Sequence, residues 1–154
     1  MFRGFEIWLL VIPIIFIVTY IYFNGLVVRD INVGKVSING HEFDVEVANT
    51  ILSRQKGLSG KEELKENEGM LFVFGSSQPR RFWMKDMLIP IDIIWINEGE
   101  VVGFEKNVQP EPEVSVGNLK TYSSPIPLGI VLEVRAGVVD ELGIEVGDSV
   151  LVRL

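Results

Sequence analysis

RRFWMKDMLIPIDIIWI, Arg80 to Ile96, decides how the chain folds. Two aromatics and a Lys-Asp pair lead to Pro90, and a lone Asp92 then enters an apolar run. Proline lacks a backbone N–H and keeps the residue before it out of helix. The pattern is therefore a strand, a tight corner and a second strand. On an extended strand alternate residues share a face. Trp83 and Lys85 then point one way, and Phe82, Met84 and Asp86 the other. An aromatic platform beside a cation suits a sugar, a carboxylate or a peptide carbonyl. The plainer alternative packs Trp83 on the core, with Lys85 snorkelling over it to water.

The same grammar of short strands extends on both sides. Val36, Ile38, Phe43, Val45 and Val47 alternate with polar residues around Asn39-Gly40, whose tolerance of positive φ suits a type I′ hairpin turn. Thr50 caps a short helix over Ile51–Lys56, ended by Gly57, and Ser59–Glu66 reads as a further helical turn or two. Met70–Phe74 is an apolar core strand, followed by a loop from Gly75 to Pro79. Asn97–Glu100 turns the chain into a strand over Val101–Lys106, and the Pro- and Glu-rich stretch from Val108 to Lys120 is a long surface loop. Leu128–Arg135 is a buried strand holding one acid, Glu133. Ala136–Leu142 is a short helix, and Ser149–Leu154 is a closing strand. The expected fold is mainly β, an antiparallel sandwich or barrel with two or three short helices.

Before this body lies a different kind of sequence. Residues 7–28 are almost continuously apolar, with Trp8, Tyr20 and Tyr22 near the ends. A helix of that length crosses ~30 Å of hydrocarbon, and amphipathic rings prefer the interface. Residues 1–29 are thus expected to be a transmembrane anchor in contact with the lipid bilayer, and residues 30–154 a soluble β domain. A cleaved signal peptide is the weaker reading, because Asn24–Asp30 offers no small-x-small cleavage site. Arg3 outweighs Glu6 while Asp30 cancels Arg29, so the charge bias keeps the N-terminus cytoplasmic and sends the domain out of the cell.

The net charge is −7, and all of the excess lies after residue 30, where 12 basic residues face 19 acidic ones. A body that acidic is repelled by nucleic-acid phosphates and anionic headgroups, so no nucleic-acid partner is expected. The chain has no cysteine and one histidine, His41. Disulfides, thiolate chemistry and multi-histidine metal sites are excluded, and no metal or cofactor is expected. Walker, GxGxxG, GxSxG and HExxH motifs are missing.

The order GMLFVF, FWMK, a proline before Ile91-Asp92, then SSP, VLEV, AG and GD resembles the "uncharacterised ancient conserved region" family of bacteria and archaea. That family is a domain of unknown function often found behind a signal or an anchor. The resemblance covers about Val45 to Leu154 and implies a mainly-β sandwich. The family's FWMKNT stands here as FWMKDM, with Asp86 and Met87 replacing Asn and Thr.

Asp92 and Glu133 each stand between large apolar residues. Such an acid lies on the wet face of a strand or is buried with a partner, and Lys85, Arg54 and Arg81 are the candidate partners. Trp83, Lys85, Asp92 and Glu133 are therefore expected to form or border a site, with Arg54 beside it and the Pro110–Gly117 loop as a lid. A binding or accessory module acting on an envelope ligand or protein is the favoured function. An envelope hydrolase cleaving glycan or peptide with Asp92 and Glu133 as acid and base is the first alternative. A structural subunit of a membrane assembly is the second.

Overall fold

The computed structural model describes residues 32–154; the expected anchor at residues 1–29 lies outside the described residues. Asn32–Leu154 is one compact unit. It holds nine strands: β1 (Val33–Ile38), β2 (His41–Ala48), β3 (Glu68–Gln78), β4 (Arg81–Phe82), β5 (Ile91–Asn97), β6 (Glu100–Val108), β7 (Tyr122–Ser123), β8 (Leu128–Arg135) and β9 (Val150–Arg153). Two short helices, α1 (Ile51–Lys56) and α2 (Val138–Glu141), and a 3-10 turn at Val116–Asn118 complete it.

Seven strands form one sheet in the order β6-β5-β8-β3-β2-β1-β9, and β4 pairs with β7 separately. The outermost strands β6 and β9 approach each other at one end. There Val101 N–H donates to Asp148 O at 2.9 Å and Val150 N–H to Gly99 O at 2.7 Å. A core cluster that includes Val36, Val101, Leu132 and Val150 joins residues from both ends of that strand order, which requires the sheet to curl around it. Of the two expected architectures, the curled sheet is on the barrel side rather than a sandwich. Its pairing departs from all-antiparallel at one place: β2 and β3 run parallel, Val47 opposite Leu71. A parallel pair needs a long crossover, and the segment carrying α1 supplies it.

The Asn39-Gly40 turn forms as expected, with φ of 52° and 78° joining β1 to β2. Thr50 caps α1 by accepting from Ser53 N–H at 3.1 Å, while Ser53 Oγ accepts from Thr50 N–H at 3.0 Å. The helix expected over Ser59–Glu66 is absent. Gly60 takes φ 73°, and Leu58 and Leu64, six residues apart, both reach the core, a spacing that no single helical face provides. Two buried layers result. One fills the curl; the other lies on the sheet's opposite face under the crossover and the Trp83–Pro90 segment, with Met70, Phe72, Met84, Met87, Ile93 and Trp95 in it.

Candidate functional site

Glu133 stands on β8, a strand flanked by β3 on one side and β5 on the other. It faces Met70 across one ladder and Ile93 across the other. Its neighbours on that face are therefore apolar, and the residue is 6% exposed. Among the described residues nothing donates to its carboxyl and no cation pairs with it. Burial alone pushes its pKa up to about 8, so the group is an uncharged acid at neutral pH. This is neither of the two outcomes expected for an acid between apolar residues. It is buried and, among the described residues, has no partner.

The little surface Glu133 keeps opens into a cleft of about 230 Å³. One wall is α1 and the turn after it, including Arg54, Lys56 and Leu58; the other is Arg81, Phe82, Trp83 and Lys85. Phe82 is the centre of the aromatic wall, edge-on to Phe72 at 4.9 Å and to Trp95 at 5.6 Å between ring centroids. Two hydrogen bonds hold the walls together: Ser59 Oγ–H to Lys85 O and Gly60 N–H to Asp86 O, both 2.9 Å.

The strand expected through Trp83 and Lys85 ends at Phe82, and a turn follows at Lys85-Asp86. Met84 and Met87 drop into the core, three residues apart, and lift Trp83 and Lys85 to the surface. Trp83 is 53% exposed, so it is not the core tryptophan of the plainer alternative; Trp95 holds that place. Asp86 has φ 55°, a left-handed conformation that Asn and Asp tolerate better than other side chains.

The cations of the cleft are unusual for so acidic a body. Arg54, Lys56 and Arg81 have no carboxylate partner among the described residues, and Lys85 pairs only with its neighbour Asp86. Arg54 is fixed by Nη1–H bonds to Asn49 O at 2.7 Å and Val73 O at 3.0 Å. It packs over the Phe74 ring at 5.1 Å, and Arg80 packs over the same ring at 3.8 Å. Burial, and then the charge of Arg54, lowers the pKa of Arg80.

Four of the five residues expected at the site, Arg54, Trp83, Lys85 and Glu133, line this cleft, and Asp92 does not. Asp92 is opposite Val134 and Glu133 is opposite Ile93 on the same strand pair. Adjacent positions point to opposite faces of a sheet, so the two carboxyls cannot flank one bond. That removes the acid-base pair on which the hydrolase depended. Asp92 is fully buried in the curl, where it accepts from Val139 N–H at 2.9 Å and Asn107 N–H at 2.7 Å. It ties α2 and the end of β6 to β5. The Pro110–Gly117 loop lines no part of the cleft either, so it is no lid. Phe74 and Phe82 join the site from the structure alone, and Arg81, expected only as a partner for a buried acid, lines the cleft instead. The alternation in GMLFVF, which puts Met70, Phe72 and Phe74 on one face, is the signal that leads to Phe74; no comparable signal marks Phe82 or Arg81.

The DUF192 family, described as "Uncharacterized ACR", matches residues 34–152. The chain belongs to the DUF192 family. A similar fold is seen in the crystal structure of a protein of unknown function from Novosphingobium aromaticivorans. It is 31% identical with a TM-score of 0.70, over 77% of this chain and 84% of that one. A Sinorhizobium meliloti protein described as a "putative transcription regulator" is 29% identical with a TM-score of 0.70, over 78% of this chain and 93% of that one. No curated protein matches the chain.

Proposed function

We propose that this DUF192 chain is a membrane-anchored, extracytoplasmic binding module whose cleft takes a small organic anion. The observation that carries the reading is an uncharged Glu133, without a partner among the described residues, in a cleft bounded by Arg54, Lys56, Arg81 and Lys85. A buried carboxylic acid is a hydrogen-bond donor, and the cations around it neutralise an oxyanion. Phe74, Phe82 and Trp83 offer an apolar bed for the rest of the ligand. A bare structural role explains none of this, because an apolar residue at 133 fills the same space without the desolvation penalty.

Two other readings fit less well. A structural subunit needs an exposed apolar patch without a pocket, whereas Ile51 and Trp83 line the cleft itself. The regulator description of the Sinorhizobium protein does not favour a nucleic-acid role here. The body is acidic, and the described α-helices have six and four residues, too short to read a major groove.

Lys85 is the sharpest test of the ligand class, since it is exposed and its only ionic partner among the described residues is Asp86. Lys85→Ala is expected to weaken binding of benzoate and phenyl phosphate about tenfold in calorimetric titrations, the usual effect of losing one charge-assisted hydrogen bond. Its melting temperature is expected to move little. A large fall in melting temperature with unchanged affinity makes Lys85 structural and contradicts the reading. For the anchor and its orientation, protease added outside intact spheroplasts is expected to digest the domain. Protection until the membrane is opened reverses the assigned topology.

A further inference from the structure

We infer that α1 and Trp83 form a face that rests on the lipid bilayer, with the mouth of the cleft at the level of the headgroup phosphates. The inference rests on the membrane-anchor reading of residues 7–28 and adds to it which end of the domain meets the membrane.

Helix α1 buries none of its residues, and its two large apolar side chains point to water: Ile51 is 69% exposed and Leu52 is 78% exposed. A short helix on a soluble surface normally turns its apolar residues inward. Ile51 shares the cleft lining with Trp83, which is 53% exposed, so two large exposed apolar groups lie at one opening and Leu52 follows Ile51 on the same short helix. Lys56, Arg81 and Lys85 surround them. Tryptophan and snorkelling cations beside aliphatic side chains are the residues that settle at a membrane interface.

Topology puts the chain's entry at the same end. Asn32 O accepts from Val47 N–H at 2.6 Å, and β2 ends one residue later, just before the Thr50 cap of α1. In sequence, three residues, Arg29, Asp30 and Ile31, separate the expected span from Asn32. The acidic average of the body does not oppose this contact, because Arg54, Lys56 and Arg81, which have no carboxylate partner among the described residues, all line this opening. The opposite end of β1 carries the Asn39-Gly40 turn, bonded to Asp148 beside Val146.

The chain contains no cysteine, so Leu52→Cys and Val146→Cys each accept a single environment-sensitive label at an exposed position. The full chain is placed in nanodiscs of phosphatidylcholine and phosphatidylglycerol, with and without lipids carrying a quencher. The label at 52 is expected to shift to the blue and to be quenched several-fold more than the label at 146. Lys56→Glu combined with Arg81→Glu is expected to reduce that quenching. Equal quenching at the two positions, in a chain that alkaline carbonate does not extract, overturns the docking face alone. Extraction of the chain by carbonate overturns the anchor and the docking face together.

Discussion

Glu133→Gln is expected to raise the melting temperature at pH 9 by roughly 15–20 °C and to leave it nearly unchanged at pH 4. Folding raises this carboxyl from 4.5 to about 8 because burial penalises its charged form. Below pH 4.5 both folded and unfolded chains hold the proton, and the group costs the fold nothing through ionisation. Between pH 4.5 and 8 the unfolded chain releases its proton while the folded chain keeps it. The unfolded state then binds fewer protons than the native one, so stability falls as pH rises and levels off above 8. A shift of that size corresponds to a loss on the order of 5 kcal/mol. Glutamine keeps the shape and cannot ionise, so its unfolding curve lacks this slope. Thermal unfolding of both proteins across pH 4–9 measures the difference. Parallel curves mean that Glu133 is solvated or paired. The lowered pKa values of Glu68 and Glu141 act in the opposite direction, but Glu141 is exposed and Glu68 half-buried, and solvent screening keeps their contribution small.

Asp92→Ala is expected to destabilise the domain by about 3–5 kcal/mol at neutral pH, a loss read as a lower urea midpoint. Alanine leaves the N–H groups of Val139 and Asn107 without an acceptor and opens a void between β5 and α2. Asn107 has φ 50°, so the end of β6 also loses the bond that supports a strained conformation. Asp92→Asn keeps one acceptor and is expected to cost less, about 1–3 kcal/mol. The two variants separate a structural carboxylate from a ligand-binding one. Benzoate affinity of folded Asp92→Asn is expected to match that of the wild type. Unchanged stability together with lost binding returns Asp92 to the site.

Local chemistry accounts for what was readable in the sequence. Asn39-Gly40, the Thr50 cap and Gly57 each have one conformation that suits them, and all three appear where expected. The β8 strand is legible for the same reason, as an apolar run closed by Arg135 and Gly137. Pairing is less readable. Alternation assigns residues to faces but names no neighbouring strand, so the parallel β2–β3 ladder was not foreseen. The Trp83–Lys85 strand failed because two methionines three residues apart outcompeted the period-two pattern for the core. Within the site, Trp83 and Lys85 were identifiable as an aromatic beside a cation. Asp92 and Glu133 looked alike because both sit between apolar residues. Their register differs by one position, and that one position sends them to opposite faces with opposite hydrogen-bonding fates.

The central claim is that an uncharged acid under a cationic cleft receives an anion. Carbon-13 NMR of the Glu133 side-chain carboxyl tests it directly, titrated alone and in excess benzoate. A midpoint near 8 that moves higher with benzoate is the predicted result. A midpoint near 4.5, indifferent to benzoate, contradicts it.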